Sequence, residues 1–101
     1  MIVVQNIFRA QFGKAKEVAD LFKQLISIST RAGFHAGQVR LLTDIAGPCF
    51  YTFVLETTHE SLAQWEQASK AVRGNAEWGA LYKQLTPLIH EGERKIYSIV
   101  E

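Results

Sequence analysis

Residues 37–57, GQVRLLTDIAGPCFYTFVLET, constrain the fold more than any other stretch of the chain. They read as two strands, 39–45 and 50–57, separated only by the break Ala46-Gly47-Pro48. Strands joined that tightly lie side by side and antiparallel. On the N-terminal side of this hairpin the apolar period changes once. Residues 2–9 read as a strand through Ile2, Val3, Val4, Ile7 and Phe8. After Gly13, Val18, Leu21, Phe22, Leu25, Ile26 and Ser29 recur at three- and four-residue spacing. Lys14, Lys16, Glu17, Asp20, Lys23 and Gln24 lie largely opposite them, which marks an amphipathic helix. Gly33 is expected to end it as a left-handed glycine.

Beyond the hairpin, Thr57 and Glu60 stand at capping-box spacing and open a second helix over 58–73. Gly74 ends it, Asn75 can cap a short third helix through Leu85, and Pro87 stops that one. The closing ERKIYSIVE gives a last strand over 94–100. Two helical crossovers around a central hairpin make an α+β, ferredoxin-like βαββαβ chain with an extra short helix. Right-handed crossovers put both long helices on one face of a four-stranded antiparallel sheet.

At 101 residues the chain is the size of one domain, 1–101. Its net charge is +1 and only Arg94 and Lys95 are adjacent basic residues, so nucleic acid is not an expected partner. Cys49 is the one cysteine, which excludes an internal disulfide and a thiolate metal cluster. No signal-peptide pattern and no run of about 18 apolar residues occurs, so neither export nor a membrane partner is expected. A soluble cytoplasmic protein is the expectation.

The predicted strands are apolar on both faces. Phe50 and Val54 oppose Tyr51, Phe53 and Leu55, and Ile96 and Val100 oppose Tyr97 and Ile99. A sheet with helices on one side should be polar on the other. A second copy is the simplest cover, so a homodimer with facing sheets is expected. Too few charged residues fall on that face, in this reading, for Lys and Arg stems to cover it.

The opening strand, the GKAKEVADLFKQL helix and NAEWGALYKQLTPLIHEGERKIYSIV resemble the dimeric α/β-barrel superfamily, within it the NIPSNAP-like branch. The resemblance implies a homodimeric barrel with an apolar small-molecule pocket between helices and sheet in each protomer, and no assigned activity. A sister branch of antibiotic-biosynthesis-type monooxygenases works without conventional cofactors on quinols, polyketides or haem. Its haem-degrading members place an Asn in the first strand and a Trp in the second long helix, as Asn6 and Trp65 stand here. Their iron-binding His has no counterpart near residue 75, which reads GNAEW. Haem ligation is therefore not implied. Oxidation of an electron-rich aromatic or quinol substrate is the alternative activity, and an interaction dimer with no small-molecule chemistry is the third reading.

Asn6 sits between Val4 and Phe8 on one strand face, where an amide must find a partner or cost about 1–3 kcal/mol. It either bonds backbone at a strand edge or dimer seam, or holds developing negative charge in a pocket. In the second case it is the candidate catalytic residue together with Trp65. Trp65 shares a helical stripe with Leu62, Ser69 and Val72, and Trp78 one with Leu81, Tyr82 and Leu85. Both stripes have core spacing, yet Trp65, Trp78 and Tyr51 could line an aromatic cavity. Arg40 shares a strand face with Asp44; it either forms a cross-strand or intersubunit ion pair or binds a substrate carboxylate. Tyr51, Trp78 and Arg40 are thus the candidate substrate-binding residues. His35, His59 and His90 are expected to be solvated and lack metal-ligand spacing. Cys49 has no adjacent base, no G-x-S-x-G occurs, and nothing in the pattern requires a metal or cofactor.

Overall fold

A computed structural model of the chain describes residues 1–35, 38–47 and 50–101. Pro48 and Cys49, on which the expected turn and the thiol reading fall, lie outside the described residues. The elements are β1 (Ile2–Ala10), α1 (Ala15–Ala32), β2 (Val39–Thr43), β3 (Thr52–His59), α2 (Leu62–Arg73), α3 (Ala76–Leu85), a 3-10 turn (Thr86–Leu88) and β4 (Ile89–Ser98). The four strands form one antiparallel sheet in the order β2-β3-β1-β4. This is the α+β, ferredoxin-like topology that the hairpin and its two helical crossovers dictate.

α1 starts after Gly13, whose backbone (φ 82) lies in the left-handed region that glycine adopts without steric cost. Val18, Leu21, Phe22, Leu25, Ile28 and Ser29 form its buried face. Ile28 takes the place expected for Ile26, which is half-buried. Gly33 ends the helix, but its backbone is not left-handed (φ −177). A Cβ there would meet the Ala68 carbonyl oxygen at 3.0 Å, so Gly33 is the point where the end of α1 meets α2 backbone.

Three further corrections concern element ends. Thr57 and His59 belong to β3, because both alternate onto the helix-covered face, at 2% and 3% exposure. The cap of α2 is therefore Ser61, which accepts from the Gln64 N–H at 3.1 Å, while the Gln64 side chain accepts from the Glu60 N–H at 3.1 Å. β4 begins at Ile89, five residues before the expected start, since an edge strand needs no apolar alternation to pair. His90 thus lies in a strand. Asn75 does cap α3, accepting from the Trp78 N–H at 3.0 Å.

The core lies between α1, α3 and the sheet. Phe22 sits between Phe8 and Phe53, with ring centroids at 5.2 and 5.8 Å, and Val18, Leu25 and Leu85 close around them. Among the described residues no helix is long and apolar enough to cross a membrane.

The far face of the sheet is less apolar than the sequence reading held. Val3, Ile7, Leu42, Val54 and Tyr97 share it with Arg9, Arg40, Glu56, Glu91, Glu93 and Lys95. Arg9 pairs with Glu91, Arg40 with Glu56, and Lys95 with Glu93 at 4.0 Å. Glu56 also accepts from Gln5 Nε2 at 3.0 Å. The bonds from Arg40 and then Gln5 hold its carboxyl below the usual carboxylate range. Arg40 does not pair with Asp44, because Glu56 is its direct cross-strand partner; Asp44 instead accepts from the Thr52 N–H at 2.7 Å.

His59 is buried rather than solvated. Its Nε2 lies 2.9 Å from Thr57 Oγ1 and its ring 5.3 Å from that of Phe34. Burial lowers its pKa from 6.5, against a smaller raising effect of a hydrogen bond with Gln64. The unfolded chain then binds the imidazole proton below pH 6.5 while the folded one resists it, so stability falls as pH drops through that value. Glu56 adds a second loss below pH 4.5, since its folded carboxyl stays ionised longer than the unfolded one. Urea midpoints measured from pH 8 to pH 5 should decline, and His59→Gln should flatten the decline above pH 5.

Candidate functional site

Asn6 occupies the centre of β1, the strand flanked by β3 and β4. The pairing sets it opposite Leu55 on one side and Arg94 on the other. All three side chains leave the sheet on the helix side, because directly paired residues share a face. Arg94 Nε donates to Asn6 Oδ1 at 2.6 Å. The amide among apolar neighbours therefore has its partner, and that partner is a charged one.

α2 lays Trp65 over this pair. The Arg94 guanidinium carbon sits 5.2 Å from the Trp65 ring centroid, within cation–π range. Asn6, Arg94 and Trp65 thus form one linked group drawn from β1, β4 and α2. They open onto a cavity of about 130 Å³ between helices and sheet. α1 adds Ser29, whose hydroxyl donates to the Leu25 carbonyl at 2.8 Å, and Phe34 follows it. α2 adds Glu66, Ser69, Val72 and Arg73, and α3 adds Trp78. Trp78 stacks on Tyr82 at 4.8 Å and 11°, which fixes the plane of the indole at the cavity wall.

Of the residues singled out in the sequence, Asn6, Trp65 and Trp78 come together here. Tyr51 and Arg40 do not. Tyr51 stands before β3 in a left-handed backbone (φ 59), edge-on to Phe12 at 5.4 Å. Arg40 lies on the opposite face of the sheet, committed to Glu56. Arg94 is the functional candidate that the sequence reading missed. The β4 register carries the signal: aligning Ile96 with Val4 sets Arg94 beside Asn6.

The electrostatics of the cavity follow from these bonds. Arg94 takes part in no ion pair among the described residues. An arginine has no acceptor, so Asn6 turns its carbonyl oxygen to Arg94 and keeps its amide NH₂ for another partner. Arg73 Nε donates to the Ser69 carbonyl at 3.3 Å, and Glu66 supplies the one carboxylate of the wall. Among the described residues no three His, Cys, Asp or Glu side chains cluster to hold a metal ion.

No protein-family model matches the chain, and no curated protein matches it. Solved structures match along nearly its whole length. A NIPSNAP family protein from Agrobacterium tumefaciens superposes with a TM-score of 0.87 at 22% identity, over 99% of this chain and 93% of that one. A NIPSNAP domain protein from Burkholderia xenovorans gives 0.83 at 16% identity, over 99% and 95%. An antibiotic biosynthesis monooxygenase gives 0.76 at 14% identity, over 100% of both chains. The chain shares the fold of all three.

Proposed function

We propose that this chain, built on the fold it shares with NIPSNAP-domain proteins, is a homodimeric small-molecule-binding protein whose ligand enters the cavity beside Asn6. The observation that carries the reading is the linked Asn6, Arg94 and Trp65 group at the mouth of an aromatic-walled cavity. Polar groups converging on an apolar concavity are the usual make-up of a ligand site. The make-up of the far sheet face supports a dimer of facing sheets. There, five apolar side chains lie among three cations and three anions, so equal faces do not repel each other.

Asn6→Ala is the test. It removes the acceptor of Arg94 without touching the far face. The dimer should stay intact by sedimentation. Quenching of tryptophan fluorescence by small aromatic compounds should weaken by about tenfold, because Arg94 loses the bond that orients it at the cavity mouth. Dissociation or unfolding of the variant would instead assign Asn6 a structural part.

The likeness to the antibiotic biosynthesis monooxygenase supports a second reading, oxidation of an electron-rich aromatic or quinol without metal or flavin. Asn6 would then stabilise charge developing on the substrate oxygen while Trp65 orients the ring. Oxygen uptake with a test quinol separates the two: uptake abolished by Asn6→Ala supports chemistry, and no uptake leaves binding alone.

A further inference from the structure

We infer that the cavity selects a single-ring planar anion, an aromatic carboxylate, over its neutral analogues; this rests on the reading of the cavity as a ligand site. The size argument comes first. A cavity of roughly 150 Å³ holds benzene. At about 130 Å³ this one has room for a single ring.

Shape and charge narrow the choice further. Trp65 and Trp78 supply flat apolar walls, which suit a planar ring. The polar end is rich in donors. Arg94 spends its Nε–H on Asn6, and its four terminal N–H groups enter no ion pair among the described residues. The Asn6 NH₂, turned away from Arg94 by the same bond, adds two donors beside them. Two arginines, Arg73 and Arg94, and one carboxylate, Glu66, are among the residues that line the cavity. A neutral alcohol would leave most of these donors to water. A carboxylate presents two oxygens in the plane of its ring, the geometry that a guanidinium fork matches.

The test titrates the full-length protein with benzoate and with benzyl alcohol at pH 7.5, read by tryptophan fluorescence and by calorimetry. Wild type should bind benzoate ten- to a hundredfold more tightly, the range of about one charge-assisted contact. Arg94→Met should bring benzoate down to the level of benzyl alcohol. Arg94→Lys, which keeps the charge without the fork, should fall between them. Circular dichroism and the urea midpoint establish that each variant is folded; should Arg94→Met fail to fold, Arg94→Lys and the wild-type ratio decide. Equal binding of both compounds by wild type would overturn the anion preference while leaving the cavity reading in place. Binding of neither compound at millimolar concentration would overturn both.

Discussion

Replacing Phe22 with alanine is expected to remove about 3–5 kcal/mol of folding stability. Phe22 is 2% exposed and is held between Phe8 of β1 and Phe53 of β3, so the substitution opens a void at the place where α1 meets two strands. Val18, Leu25 and Leu85 surround the same point on rigid elements and cannot collapse far into the gap. Domains of this size are stable by only about 5–15 kcal/mol, so the loss is a large fraction of the total. A urea titration should show a lower midpoint at unchanged slope. Phe12→Ala is the control. That ring is 86% exposed, in an edge contact with Tyr51 at 5.4 Å, so its removal should shift stability by about 1 kcal/mol or less. Equal losses at both positions would contradict the assignment of the core.

The second large effect concerns the far face of the sheet. Val54 pairs with Ile7 on β1 and Leu42 on β2, so the three make an apolar strip across three strands. In a dimer of facing sheets, Val54→Asp places a carboxylate in that strip on both copies. Burial of an unpaired charge is opposed by far more than one hydrogen bond can return. The dissociation constant should rise at least a hundredfold, about 2.7 kcal/mol, and the protein should sediment as a monomer at micromolar concentration. The monomer should remain folded, because Val54 faces away from Phe22 and the helices. A variant that stays dimeric would move the interface elsewhere, to the exposed Ile96, Ile99 and Val100 at the C-terminal end.

The fold was legible because three signals agree. The tight central break fixes a hairpin, the apolar period of α1 repeats over several turns, and Gly74-Asn75 separates α2 from α3. Element ends were less legible, for physical reasons. Thr57 satisfies a capping pattern as well as a strand pattern, and only the burial of Thr57 and His59 decides between them. HEGER carries no apolar alternation because β4 is an edge strand, exposed along nearly its whole length. Without that alternation neither the strand position of His90 nor the register that brings Arg94 to Asn6 is legible. The far face is illegible for a related reason: Glu91 and Glu93 carry no mark of a strand in the sequence, so the Arg9–Glu91 and Lys95–Glu93 pairs cannot be read from it. Asn6 and Trp65 could be singled out one at a time, but their convergence depends on β4, which neither residue encodes.

Both tryptophans of the chain line the cavity, so its occupancy has an internal reporter at each wall. The measurement to make is a ¹⁵N–¹H spectrum of the uniformly labelled protein during addition of benzoate. It contains two indole signals, assigned by Trp65→Phe. Both indole signals should move together and saturate at one concentration, with backbone amides around Asn6 and Arg94 following them and those around Arg40 and Leu42 unmoved. Indole signals that stay in place while amides of the far sheet face shift would place the ligand outside the cavity and contradict the account.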